Sequence, residues 1–109
     1  MAYDEGLAQR IRETLASRSD IAEKKMFGGL AFMLSGNMCC GVIGSTLMLR
    51  VGPDQYGAAL AHPHAREMDF TGKPMKGMVY IGDDGIADDR DLADWVQWGV
   101  RFATSLPPK

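Results

Sequence analysis

The sequence predicts an α+β domain: a mainly antiparallel sheet of about five strands with helices packed on it. Three observations carry this. Apolar residues recur at helical spacing near both ends of the chain, the period shortens to two between residues 26 and 51, and the elements run helix, three-strand meander, helix, hairpin, helix. The 109 residues suit a single domain spanning 1–109, with 46% apolar and 24% charged residues typical of an ordinary globular chain.

The first element lies in "YDEGLAQRIRETLASRSD". Asp4 is placed to cap it, Leu7, Ile11 and Leu15 make a buried stripe, and Asp20 falls in the loop that follows. The period then changes. "MFGGLAFML" alternates Leu30, Phe32 and Leu34 against Ala31 and Met33, "SGN" supplies turn chemistry, "MCCGVI" is a second strand, "GST" a second turn and "LMLRV" a third strand. "GPDQYGAALAHP" reads as a short helix, with Pro53 at its first position and Pro63 as its stop. "REMDF" and "GMVYI" flank "TGKPMK" as a second hairpin. The last helix starts after an Asp88 or Asp89 cap and buries Leu92, Trp95, Val96, Gly99, Phe102, Ala103 and Leu106. The expected core includes Leu7, Ile11, Phe32, Leu47, Leu49, Tyr80, Trp95 and Phe102.

Several chemistries fail on spacing. Cys39 and Cys40 are adjacent, whereas a redox pair usually has two intervening residues; as strand neighbours they point to opposite faces and serve as small core residues. His62 and His64 flank Pro63 but find only Glu67 and Asp69 nearby, too few for a metal site, so they read as a loop after a helix. "DDGIADDRD" places Tyr80 and Gly82 at the first two ligand positions of a calcium loop and has no following Glu. Gly72-Lys73 lacks the upstream Gly and downstream Ser/Thr of a phosphate loop, and "MFGG" precedes a strand, where a bulge or a close backbone approach explains it better. No catalytic residue, metal ligand or cofactor site is nominated.

Charge narrows the partners. The formal net charge is −2 and the pI about 5.6, without the basic surplus that lets a protein grip phosphates unaided. No stretch approaches the roughly 18 apolar residues of a membrane span. The charged N-terminus lacks a signal-peptide pattern, so a cytoplasmic location is expected. One residue stands apart: Trp98 shares a polar helix face with Asp94, Arg101 and Ser105, and an aromatic there marks a contact surface.

The order of "KKMFGGLAFMLSGNMCCGVIGSTLMLRV", "MDFTGKPMKGMVYI" and "LADWVQWGVRFA" resembles the N-terminal domain of the TfoX/Sxy family, over roughly Asp4 to Leu106. Met26-Phe27-Gly28-Gly29, the Gly36-Asn37-Met38 turn, the Leu47–Val51 strand, the Gly72-Lys73 turn and Trp95 carry the likeness. The resemblance implies a role in activating bacterial competence genes. It also implies transcriptional co-activation through a protein partner such as the cyclic-AMP receptor protein and RNA polymerase. Full-length regulators of the family carry a second, helical domain, and the expectation here is a stand-alone first domain. The leading reading is a non-catalytic regulatory protein-interaction module with Trp98 and Arg101 as partner contacts, with homodimerisation left open. The alternative is a small-molecule-binding domain or an enzyme using the open sheet face with Arg50, Lys73 and Lys76. A third reading is a DNA binder with a patch of Arg10, Arg12, Lys24 and Lys25. Strong autonomous DNA binding is not expected, because Arg10 and Arg12 lie about 200° apart on the helix.

Overall fold

The computed structural model describes residues 3–26, 28–68 and 77–108. Helix α1 (Glu5–Thr14) begins as expected: the Asp4 carboxylate accepts from the backbone N–H of Gly6 at 2.8 Å and of Leu7 at 3.3 Å. Leu7, Ala8, Ile11 and Leu15 are buried beneath it.

The chain then forms a strand where the sequence suggests a loop. Strand β1 (Ile21–Met26) pairs antiparallel with β2 (Gly29–Leu34), from Ile21 opposite Leu34 to Met26 opposite Gly29. Residues 22–25 are exposed, so no apolar alternation announces the strand. It is an edge strand, held by its ladder to β2 and by a two-pronged ion pair from Arg12 on α1 to Glu23, at 2.6 and 2.9 Å. Exposed Glu23, Lys24 and Lys25 protect that edge from pairing with another chain.

Strands β3 (Asn37–Ile43) and β4 (Thr46–Arg50) continue the meander. After the short helix α2 (Tyr56–Leu60) come β5 (Ala65–Glu67) and β6 (Met78–Ile81). Among the described residues they complete a six-stranded antiparallel sheet in the order β1-β2-β3-β4-β6-β5. That is one strand more than expected, the addition being β1. Pro53 lies in the turn ahead of α2, whose N-cap is Gln55, and not at its first helical position. A 3₁₀ turn (Asp83–Gly85) leads to α3 (Asp89–Thr104), where the Asp88 carboxylate accepts from the Arg90 N–H at 2.8 Å. Among the described residues no helix is long and apolar enough to cross a membrane.

The helices cover one sheet face. Phe32, Cys40, Val42, Leu47, Leu49, Val79 and Ile81 meet Ile11 of α1 and Leu92, Trp95, Val96 and Val100 of α3 in one cluster. The opposite face is packed too: Ala31, Met48 and Met68 are fully buried, with Met38, Met78 and Tyr80 nearly so. Its centre is therefore not open.

Two local features fix α3. The β2–β3 register passes from Phe32 opposite Cys40 to Met33 opposite Met38, so Cys39 is an extra, bulged residue. The bulge places both Cys39 and Cys40 in the helix-side core, not on opposite faces. Both are free thiols with no exposed surface. Above the bulge, α3 runs so close that a Cβ on Gly99 would come within 2.6 Å of the Cys39 carbonyl oxygen. At the β1–β2 turn, a side chain at Gly29 would meet the Val42 carbonyl, which is the close backbone approach expected of "GG".

Of the expected core, Leu7, Ile11, Phe32, Leu47, Leu49, Tyr80 and Trp95 are buried. Phe102 and Leu106, expected in the stripe of α3, are only half-buried. Phe102 lies about 100° around the helix from Ala103, which faces the sheet, and so sits at the margin of the contact. Val100, on the other flank of the stripe, is buried instead.

Candidate functional site

The flank of α3 that carries Phe102 also carries Trp98. Trp95 and Trp98 are three residues apart and so neighbours on the helix surface. Their rings stack, with centroids 5.4 Å apart and planes 13° from parallel. Trp95 is buried, whereas Trp98 is half-buried and packs on the rim of the core. The His62 ring meets both indoles nearly edge-on, at 4.9 Å from Trp95 and 5.8 Å from Trp98.

The loop that brings His62 there is held by backbone bonds. The His62 N–H donates to Ala59 O at 3.2 Å, the Ala65 N–H to His62 O at 3.1 Å, and the Gly82 N–H to His64 O at 3.1 Å. Pairing of β5 with β6 thus sets residues 62–64 beside the start of α3. Between them lies a cavity of about 320 Å³, lined among others by His62, His64, Asp91, Asp94, Trp95 and Trp98.

Trp98 also borders a second cavity, of about 350 Å³, on its other side. Gly52, Asp54, Gln55, Arg101, Phe102 and Ser105 contribute to that wall. Arg101 is exposed there. The Arg50 guanidinium lies 5.1 Å from the centre of the Phe102 ring, a cation–π contact at the end of the sheet. Trp98 and Arg101, both singled out in the sequence, therefore share one wall. Arg50 lies beside that wall, while Lys73 and Lys76 fall outside the described residues.

The cations of the DNA-patch reading are dispersed. The Arg10 guanidinium donates to Asp89 at 2.9 Å and to Ile86 O at 2.6 Å, and Arg12 is held by Glu23. Lys24 and Lys25 are exposed on consecutive positions of β1, whose side chains alternate. The thiols offer no ready nucleophile: hydrogen bonding with Cys39 and complete burial both push the Cys40 thiol well above its ordinary range. Among the described residues no three His, Cys, Asp or Glu side chains gather as a metal site.

Sequence reasoning misses the cavity at His62 and Trp95. The i, i+3 tryptophans and the His-Pro-His loop are visible signals, but nothing local says that they meet. Pairing of β6 with both β4 and β5 brings them together.

The family model of the TfoX N-terminal domain matches residues 13–103. No curated protein and no solved structure matches the chain.

Proposed function

The chain belongs to the TfoX N-terminal domain family, and we propose on that premise that it is a non-catalytic regulatory module that acts by holding a protein partner. One observation carries the reading: Trp98 is partly exposed yet fixed by its stack on Trp95, next to exposed Arg101. Tryptophan and arginine dominate binding hot spots, because a rigid indole buries much area at little entropic cost and a guanidinium orients the contact. A concave wall beside them gives a partner side chain somewhere to seat. The acidic balance and the intramolecular pairing of Arg10 and Arg12 favour a protein over naked DNA.

The family resemblance directs the choice of partner to the transcription machinery, and the place of action to the cytoplasm. The alternative, a ligand or substrate on the second sheet face, has less support because the centre of that face is packed with methionines.

The test is binding of the purified chain to immobilised cyclic-AMP receptor protein and to RNA polymerase. Saturable capture is expected, with Trp98→Ala and Arg101→Glu each weakening it about tenfold or more. Capture unaffected by either substitution in folded protein would reject this surface. Absence of capture by both would reject the proposed partners.

A further inference from the structure

We propose that the cavity between α3 and the 62–64 loop binds a small organic cation, a quaternary ammonium of about the size of choline. This goes beyond the partner-holding reading and lies on the other side of Trp98, which borders both cavities.

The lining chemistry selects the charge. Asp91 and Asp94 border the cavity, and among the described residues no lysine or arginine does. Among the described residues, too, neither carboxylate belongs to an ion pair. An anion would face two carboxylates without a compensating guanidinium or ammonium. A purely apolar ligand would strip water from the carboxylates and return nothing.

The same lining selects an organic cation over a metal ion. Metal ions need several ligands at fixed geometry, and among the described residues no such group exists. A quaternary ammonium needs no hydrogen-bond acceptor and is attracted by indole, the strongest of the aromatic rings for this purpose. Both Trp95 and Trp98 line the cavity.

Shape and stiffness agree. A volume of about 320 Å³ lies at the lower end of the range for small-molecule sites. The indole pair is stacked, His62 abuts both rings, and backbone bonds at His62 and His64 hold the loop. Little ordering remains to be done when a ligand enters.

The chain contains two tryptophans, and both line this cavity, so intrinsic fluorescence reports directly on it. The probes are choline and 3,3-dimethylbutan-1-ol, which has the same shape without the charge, titrated at constant ionic strength. Choline should give a saturable change, with the alcohol about tenfold weaker or worse. The exposed-site variants Asp91→Asn and Asp94→Asn should each weaken choline about threefold or more, and Lys25→Gln, on the exposed edge strand at the far side of the sheet, should leave its affinity unchanged. Equal saturation by the two probes would overturn the proposal, as would no saturable change up to about 100 mM choline, a concentration beyond useful affinity. Wild-type choline affinity in the Asp91→Asn/Asp94→Asn double variant would overturn it as well.

Discussion

Replacing Gly99 with alanine sets two known effects against each other. In an isolated helix the change stabilises by about 1 kcal/mol, because glycine loses more backbone freedom on folding. In this fold the new methyl group would arrive 2.6 Å from the Cys39 carbonyl oxygen and 3.0 Å from Leu49 Cδ1. Leucine can rotate away; the carbonyl belongs to the bulged backbone and cannot. Restoring ordinary contact requires α3 to lift by about 0.8 Å, which loosens Leu92, Trp95, Val96 and Val100 against the sheet. Overpacking of this kind costs about 1–3 kcal/mol, with loosened neighbours adding to it, so the net effect is a loss of about 1–2 kcal/mol. For a domain of this size the thermal midpoint should fall by roughly 4–12 °C. Gly57 provides the control: it is exposed on α2, and a Cβ there meets nothing within 4 Å. Gly57→Ala should therefore raise stability by about 0.5–1 kcal/mol. Urea unfolding followed by tryptophan fluorescence measures both. A Gly99→Ala midpoint at or above wild type would refute the reasoning that close approach to the bulge outweighs helix propensity.

Three further outcomes are expected. Native protein should resist a thiol reagent, and unfolded protein should titrate two cysteines, since both are buried and Cys40 is held protonated; prompt reaction of the native chain would contradict this. Glu23 is held below its ordinary range chiefly by its hydrogen bond from Arg12. Its contribution is thus present above the unfolded carboxylate range and is lost as pH falls through the lower folded value. With the side chain 37% exposed this is worth only about 0.5 kcal/mol, so the stability gap between wild type and Glu23→Gln should be present at pH 7 and shrink as the carboxylate is protonated on acidification. A gap that does not change with pH would remove the ion pair from the account. Duplex DNA should bind no more tightly than about 10⁻⁶ M at physiological salt, and nanomolar, sequence-selective binding in a fluorescence titration would reverse that expectation.

Legibility in the sequence follows the range of the interaction. Caps at Asp4 and Asp88 act within three residues, and both are readable. The alternation of Leu30, Phe32 and Leu34 is readable because that strand has one face against the helices. Strand β1 is not, since Ala22, Glu23, Lys24 and Lys25 are exposed and no apolar period marks them; the ladder to β2 makes them a strand. The bulge hides the cysteines: alternation assigns Cys39 and Cys40 to opposite faces, and one unpaired residue cancels that assignment. Phe102 fits the helical stripe by spacing, but its ring lies over Gly52, past the end of β4. The cavity is least legible, because its two walls are joined only through strand pairing distant in sequence.

The two functional readings meet at Trp98 and part on either side of it. Asp91 and Asp94 line one cavity, Arg101 lines the other, and Trp98 borders both. This arrangement makes the readings separable by experiment. Arg101→Glu should weaken partner capture without weakening choline binding; Asp94→Asn should weaken choline binding and leave capture intact. Trp98→Ala should diminish both, because it removes the wall common to the two cavities and the ring that fixes Trp95 from outside. If both sites are used, bound cation and bound partner compete for the position of one indole, so choline should change the apparent partner affinity, and the partner should change choline affinity by the same factor. Capture that is indifferent to saturating choline would show that Trp98 stays in one position, and the two surfaces would then act independently.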